Sequence, residues 1–177
     1  VKSGPSWLEE ASRVLFNNRF DYCKHDMRIL VAGCGTGVQL ITAGAGLLAA
    51  TKSCGKEMAW EVVCFDLSEA SLARARQKVS VAGFLSHARF IRGDILELNT
   101  DMIGGPVDMI LCIGVLHHIE ETREALLRLQ SVLRRGGGMQ IMLYSYHGRQ
   151  ARDLFRVQAA VNLVQQGMEP FDDDETR

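Results

Sequence analysis

Short, nearly all-apolar runs alternate along the chain with longer stretches whose apolar residues recur at helical spacing. Arg28-Ile-Leu-Val-Ala32, Trp60-Glu-Val-Val-Cys-Phe65, Ala88-Arg-Phe-Ile-Arg92, Val107 to Ile113 and Met139 to Tyr144 read as five strands. Continuous apolar runs of this length suit strands buried on both faces. Helices are predicted at Trp7 to Phe20, Gln39 to Ala50, Glu69 to Ala82, Glu120 to Leu133 and Arg149 to Gln166. Ser68 is a natural N-cap for the third of these and Gly83 its stop, while Gly44 and Gly46 weaken the second. The fourth carries an apolar stripe of Ala125, Leu126, Leu129, Val132 and Leu133. Gly136-Gly137-Gly138 is expected to end it, and Ile95 to Pro106 reads as a loop-like link closed by a turn at Gly104-Gly105-Pro106.

This order predicts an α/β fold: a doubly wound, mostly parallel, Rossmann-like sheet of about five strands with helices on both faces. The 177 residues suit one domain with its own core. Residues 1–27 are expected to form a helical lead-in, 28–147 the core, and 148–177 a final helix and acidic tail. Ligands of such sheets sit beyond the carboxyl ends of the strands, near the point where the strand order reverses. Candidate chemistry is therefore sought just after each strand.

Composition narrows the picture. Twenty Lys+Arg against 21 Asp+Glu leave a formal charge of −1 with no basic block, so nothing marks a nucleic-acid surface. No apolar run approaches the ~18–20 residues of a membrane span, and no secretory leader opens the chain. Five cysteines, Cys23, Cys34, Cys54, Cys64 and Cys112, form no C-x-x-C pair. Cys64 and Cys112 lie in apolar runs, where cysteine acts as a small hydrophobe. The expectation is a reducing, cytoplasmic setting with no metal site. Val1 in place of Met suits an excised domain or a fragment.

After the first strand comes Gly33-Cys34-Gly35-Thr36-Gly37, where glycines allow a tight turn and close approach of a ligand to the backbone, and the next helix offers its unpaired N–H groups. A dinucleotide fingerprint wants G-x-G-x-x-G, but residue 38 is valine and the third glycine falls at 37. Asp66 ends the second strand, and its two oxygens can accept both hydroxyls of a ribose. It lies further from the glycines than the ~20 residues usual in NAD folds. Gly93-Asp94-Ile95 puts another acid after the third strand, where an adenine amino group can be read. Acids at strand ends also serve as simple turn caps.

Ile29-Leu-Val-Ala-Gly-Cys-Gly-Thr-Gly37, Cys64-Phe-Asp-Leu-Ser68, Gly93-Asp-Ile95 and Val107-Asp-Met-Ile-Leu-Cys-Ile-Gly-Val-Leu-His-His118 resemble the successive motifs of class I S-adenosylmethionine-dependent methyltransferases. Leu133-Arg-Arg-Gly-Gly-Gly138 is similar to that family's glycine turn before the fifth strand. The resemblance implies that Gly33, Cys34, Gly35, Thr36 and Gly37 pass under the methionine part of S-adenosylmethionine. It implies that Asp66, with Leu67, holds the ribose, and that Gly93, Asp94 and Ile95 flank the adenine. Ile113 and Gly114 would line the sulfonium end, and S-adenosylhomocysteine would be the product.

The chain departs from the family pattern in three places. Val31 stands where an acid is usual, Val107 where an aromatic is common, and an antiparallel C-terminal hairpin is expected to be missing. The last departure would leave the fifth strand as an edge open to association. His117 and His118 follow the fourth strand as candidate catalytic bases. They also suit packing and helix-start roles. Tyr144, Tyr146, His147 and Arg149 are candidates for an acceptor pocket, or for an exposed strand end.

Three readings stay open. One is a methyltransferase acting on a small-molecule or unidentified acceptor. Another is a truncated or degenerate cofactor-binding or interaction module. The third, a nicotinamide-dependent oxidoreductase, is disfavoured by the glycine spacing.

Overall fold

Met27–Ala32 (β1) lies at the centre of the sheet, as its fully apolar run Ile29 to Ala32 requires. In the computed structural model, residues 26–53 and 59–144 are described. Along the chain follow Val38–Ser53 (α1), Trp60–Asp66 (β2), Glu69–Val81 (α2), Ala88–Arg92 (β3), Thr100–Ile103 (α3), Val107–Ile113 (β4), Thr122–Val132 (α4) and Leu133–Met142 (β5). Five strands pair in the order β3-β2-β1-β4-β5. Every pairing is parallel. The chain steps outward from β1 to β3, then returns to the other side of β1 for β4 and β5. The order therefore reverses between β1 and β4.

Alternation along the strands divides the core between two faces. Ile29, Val31, Val62 and Cys64 meet Leu40, Ala43 and Leu47 of α1 and Leu72, Ala75 and Val79 of α2. Leu30, Ala32, Val63, Phe65, Ile110 and Cys112 meet Ala125, Leu129 and Val132 of α4 on the opposite face. Helix α1 runs through Gly44 because tertiary packing outweighs propensity there: a Cβ at that position would run into the Phe84 ring.

The chain divides into two compact units, Val1–Leu143 and Tyr144–Arg177, and the sheet belongs to the first. The helices expected at residues 7–20 and 149–166, together with Tyr146, His147, Arg149 and the acidic tail, lie outside the described residues. Among those described, no helix is long and apolar enough to cross a membrane.

Three sequence expectations need correction. Residues 95–106 are not a plain loop: a 3-10 turn at Ile95–Glu97 leads into the one-turn helix α3, capped by Asn99 and ended by left-handed Gly104. Leu126 is 40% exposed rather than buried, while Ala125, Leu129 and Val132 carry the buried stripe. The triple glycine does not separate helix from strand but lies inside β5. There the register slips between the pairs Val107↔Leu133 and Met109↔Gly138. The bulge needs small residues, since a Cβ on Gly137 would stand 2.7 Å from the Asp108 carbonyl oxygen.

A row of charges crosses the amino-terminal edge of the sheet. Each strand contributes its second residue, in spatial order Arg89, Glu61, Arg28, Asp108 and Arg134. Glu61 accepts from Arg89 Nε at 3.0 Å and from Arg28 Nη2 at 2.7 Å. The buried Asp108 accepts the Arg28 backbone N–H at 2.8 Å and Arg134 Nη1 at 2.6 Å. Arg28 also donates to the carbonyls of Ile103 and Gly105.

Candidate functional site

Strand β1 ends at Ala32, and Gly33 and Cys34 both donate their N–H groups to the Phe65 carbonyl, at 2.8 and 3.2 Å. These bonds carry the first turn across to the end of β2. The Gly37 N–H closes the turn on the Cys34 carbonyl at 2.9 Å, and the Gly37 carbonyl accepts from Ile41 in the first turn of α1. Gly37 has φ +89°, and a Cβ there would lie 3.1 Å from the Ala75 backbone, so it sets how closely α1 and α2 approach. Gly35 has φ +50°, yet a Cβ on it would meet nothing within 4 Å. The turn is thus tight below and open at Gly35.

Asp66 anchors the turn. Its Oδ2 accepts the Gly35 N–H at 2.7 Å, and its Oδ1 accepts the Ser68 N–H at 2.9 Å. Both oxygens hold a protein donor, and each keeps a further lone pair. The carboxylate is half-buried, and Leu67 beside it is 64% exposed. The Gly93 N–H donates to the Asp66 carbonyl at 3.1 Å, bringing the end of β3 alongside. Asp94 caps the following 3-10 turn by accepting the Leu96 N–H at 2.9 Å, so it does play a capping role while remaining half-buried. The Ile95 side chain is buried with Leu98 and Ile103 in the core, so it is the backbone at this position that borders the edge.

Beyond β4, Gly114 donates its N–H to the Met142 carbonyl at 2.9 Å. Ile113 and Gly114 are half-buried at the strand end. His117 and His118 lie in the 3-10 turn Leu116–His118, their ring centroids 4.0 Å apart. The Thr122 hydroxyl holds this turn through the carbonyls of Leu116 and Ile119, either of which it can reach. The His117 ring nitrogens are buried, whereas His118 is exposed.

The structure thus brings Gly33 to Gly37, Asp66, Leu67, Gly93 to Ile95, Ile113, Gly114, His117 and His118 to the carboxyl edge of one sheet, around the point where the strand order reverses. Tyr144, 42% exposed, falls in the second unit. Tyr146 and His147 lie outside the described residues.

Two further side chains join this edge without a sequence signal. Lys78 of α2 donates to Thr36 Oγ1 at 3.3 Å, and Arg92 Nε donates to the Leu67 carbonyl at 3.2 Å. Only the packing of α2 and β3 beside the turn brings them there.

The reading of Cys64 as no more than a small hydrophobe is also corrected. A disulfide joins Cys34 of the turn to Cys64 of β2, with Cα atoms 5.8 Å apart. Both side chains are buried. At position 34 the backbone, not the side chain, is therefore available to a ligand. Cys112 is a free, buried thiol pushed up to about 11 by its burial, against a smaller opposing pull from the backbone at Leu116.

Residues 23–170 match the family model described as "Methyltransferase domain". The chain is 32% identical over 138 residues to an uncharacterized protein of Synechococcus sp., covering 78% of this chain and 30% of the relative. It is 30% identical over 142 residues to the tRNA 5-carboxymethoxyuridine methyltransferase of Escherichia coli, covering 80% of this chain and 49% of that protein. The chain thus spans 30% of the length of the first relative and 49% of the second. Among solved structures, an S-adenosylmethionine dependent methyltransferase from Mesorhizobium loti shares the fold at TM-score 0.51 and 24% identity, over 71% of this chain and 50% of that one. The trans-methyltransferase CalH does so at TM-score 0.53 and 23% identity, over 66% and 31%. Fold, strand-end motifs and family match agree: the chain belongs to the class I S-adenosylmethionine-dependent methyltransferases.

Proposed function

We propose that this chain is the cofactor-binding part of an enzyme that moves a methyl group from S-adenosylmethionine to a small-molecule acceptor. The observation that carries the reading is the Gly35–Asp66 bond, which holds an open glycine backbone and a half-buried carboxylate together at the carboxyl ends of β1 and β2. The residues fit the group. Asp66 keeps lone pairs for two ribose hydroxyls, Asp94 and the backbone at Ile95 border the adenine, and the open face at Gly35 leaves room for the methionine portion. Ile113 and Gly114 border the sulfonium end. The solved structures of CalH and of the plantazolicin methyltransferase BpumL are complexes with S-adenosylhomocysteine, which supports the same cofactor here.

When bound, S-adenosylmethionine supplies a methyl group on a positively charged sulfur, open to one-step displacement. The protein's share is then alignment, a proximity contribution worth up to ~7–11 kcal/mol in favourable cases. Asp66 and the glycine turn fix the cofactor end. His118, the exposed ring of the pair, is the group that can take the proton of an acceptor O–H or N–H at a ring nitrogen.

Calorimetric titration with S-adenosylhomocysteine, with NAD as control, tests the reading. Saturable one-to-one binding with no NAD heat is expected. Binding of NAD instead, or no heat from a folded chain, overturns it, and the second result favours an inactive module. The name of the E. coli relative favours a second reading in which the acceptor is a tRNA base. Methyl-labelled S-adenosylmethionine separates the two readings: label entering unmodified tRNA supports the second, and label entering only low-mass products supports the first.

A further inference from the structure

We propose that the Cys34–Cys64 bond is a reversible redox latch that holds the glycine turn in its cofactor-ready form when closed and loosens it when open. The proposal rests on the cofactor site argued above. Cys34 sits between Gly33 and Gly35, and Cys64 lies two residues before Asp66 on β2. The bond therefore ties together the same two segments that the Gly35–Asp66 hydrogen bond joins. It is the covalent neighbour of the contact on which the site depends.

The two ends differ in freedom. Cys64 is fixed in mid-strand, paired with Val31 of β1 on one side and Phe90 of β3 on the other. Cys34 lies in a turn whose flanking glycines both have positive φ, +66° and +50°. Two thiols need more room than two bonded sulfurs, and both side chains are buried in a packed interior. On reduction the end that moves is Cys34, and its displacement passes directly to the Gly35 amide that Asp66 holds. A reagent reaches the bond through this turn, where Gly35 is partly exposed and Thr36 exposed. Cys112, buried on the other face of the sheet and held protonated, takes no part in the exchange.

The chemistry balances with a low-molecular-weight disulfide as oxidant. The thiolate of Cys34 attacks glutathione disulfide, forming a mixed disulfide and releasing one glutathione thiolate. The thiolate of Cys64 then attacks the Cys34 sulfur, forming the Cys34–Cys64 bond and releasing the second glutathione. Two protein thiols lose two electrons and two protons, and one glutathione disulfide becomes two thiols. Opening is the reverse, driven by excess glutathione.

The full chain would be equilibrated in glutathione buffers of graded ratio, quenched and digested without reduction. Mass spectrometry would score the Cys34–Cys64 linked peptide, and calorimetry the S-adenosylhomocysteine affinity at each ratio. The linked fraction is expected to change through a single transition while the chain stays folded by circular dichroism. The bonded form is expected to bind at least about fivefold more tightly, the low end of ordinary coupling between sites. By reciprocity, saturating S-adenosylhomocysteine then shifts the transition toward the bonded form by the same factor. Cys34→Ser should show the reduced-form affinity at every ratio, and Cys112→Ala should behave as the parent chain. A bond that never opens short of unfolding overturns the latch, as does equal affinity in both forms. A clean redox transition without binding in either form overturns the cofactor reading and the latch with it, whereas redox-independent binding overturns the latch alone.

Discussion

Gly35 and Asp66, 31 residues apart in sequence, are joined by a 2.7 Å hydrogen bond from the Gly35 amide to Asp66 Oδ2. A backbone donor in a glycine turn has thus been given a charged acceptor on the neighbouring strand, and charge-assisted bonds of this kind are the strong ones. Replacing the acid both frees the turn and removes the acceptor proposed for the ribose. Asp66→Ala is expected to weaken S-adenosylhomocysteine binding by more than about 1.5 kcal/mol, roughly tenfold, in calorimetry. Unchanged affinity in a folded variant would remove Asp66 from the site.

Gly37 and Gly35 make a second test, because one is enclosed and the other open. Gly37→Ala places a methyl against the Ala75 backbone at a positive φ. Denaturant unfolding should register a loss above the ~1–2 kcal/mol of left-handed strain alone. Gly35→Ala adds only that strain, as its Cβ meets no neighbour. A larger loss for Gly35→Ala than for Gly37→Ala contradicts this account of the turn.

His117 and His118 share a turn at the edge of β4, away from the Asp66 side of the sheet. His117→Ala should leave S-adenosylhomocysteine affinity within about twofold, a difference under 0.5 kcal/mol. A tenfold loss would mean that this ring contacts the cofactor.

Asp108 is the buried acid between Arg28 and Arg134. Asp108→Ala leaves the Arg28 amide without its acceptor, and urea unfolding should report a loss of about 1–3 kcal/mol. An effect within measurement error would show that water or another oxygen takes its place.

The Cys112 thiol gives a pH signature. Its folded-state value of about 11 lies above the ordinary 9.0, so the folded chain keeps a proton that the unfolded chain gives up between those values. Its contribution to stability is therefore complete below about pH 9 and is lost as pH rises toward 11. Thermal melts across this range should fall more steeply for the parent chain than for Cys112→Ala. Parallel curves would show that burial does not perturb this thiol.

Most of the fold was legible because the strands are buried on both faces, and such strands leave continuous apolar runs such as Ile29 to Ala32. The positions of Gly33 to Gly37, Asp66 and Asp94 were legible because turn chemistry and strand ends are local. Contacts made across the sheet left no such trace. Cys34 and Cys64 are far apart in sequence, and only the register Val31↔Cys64 brings Cys64 beside the turn that follows β1. The triple glycine looked like a helix stop because a bulge and a cap ask for the same residue. Lys78 reaches Thr36 through the packing of two helices, which no spacing along one of them announces.

The row of Arg89, Glu61, Arg28, Asp108 and Arg134 carries a message about assembly. Its signs alternate because the acid-bearing strands β2 and β4 each stand between two arginine-bearing strands. Setting β2 beside β4 would press Glu61 toward Asp108, and setting β1 beside β3 would press Arg28 toward Arg89, both unfavourable for like charges on facing strands. The ladder thus favours this arrangement over those that set two acids or two arginines side by side. Because it does so at the edge opposite the glycine turn, substitutions around the site can vary without erasing the instructions for building the sheet beneath it.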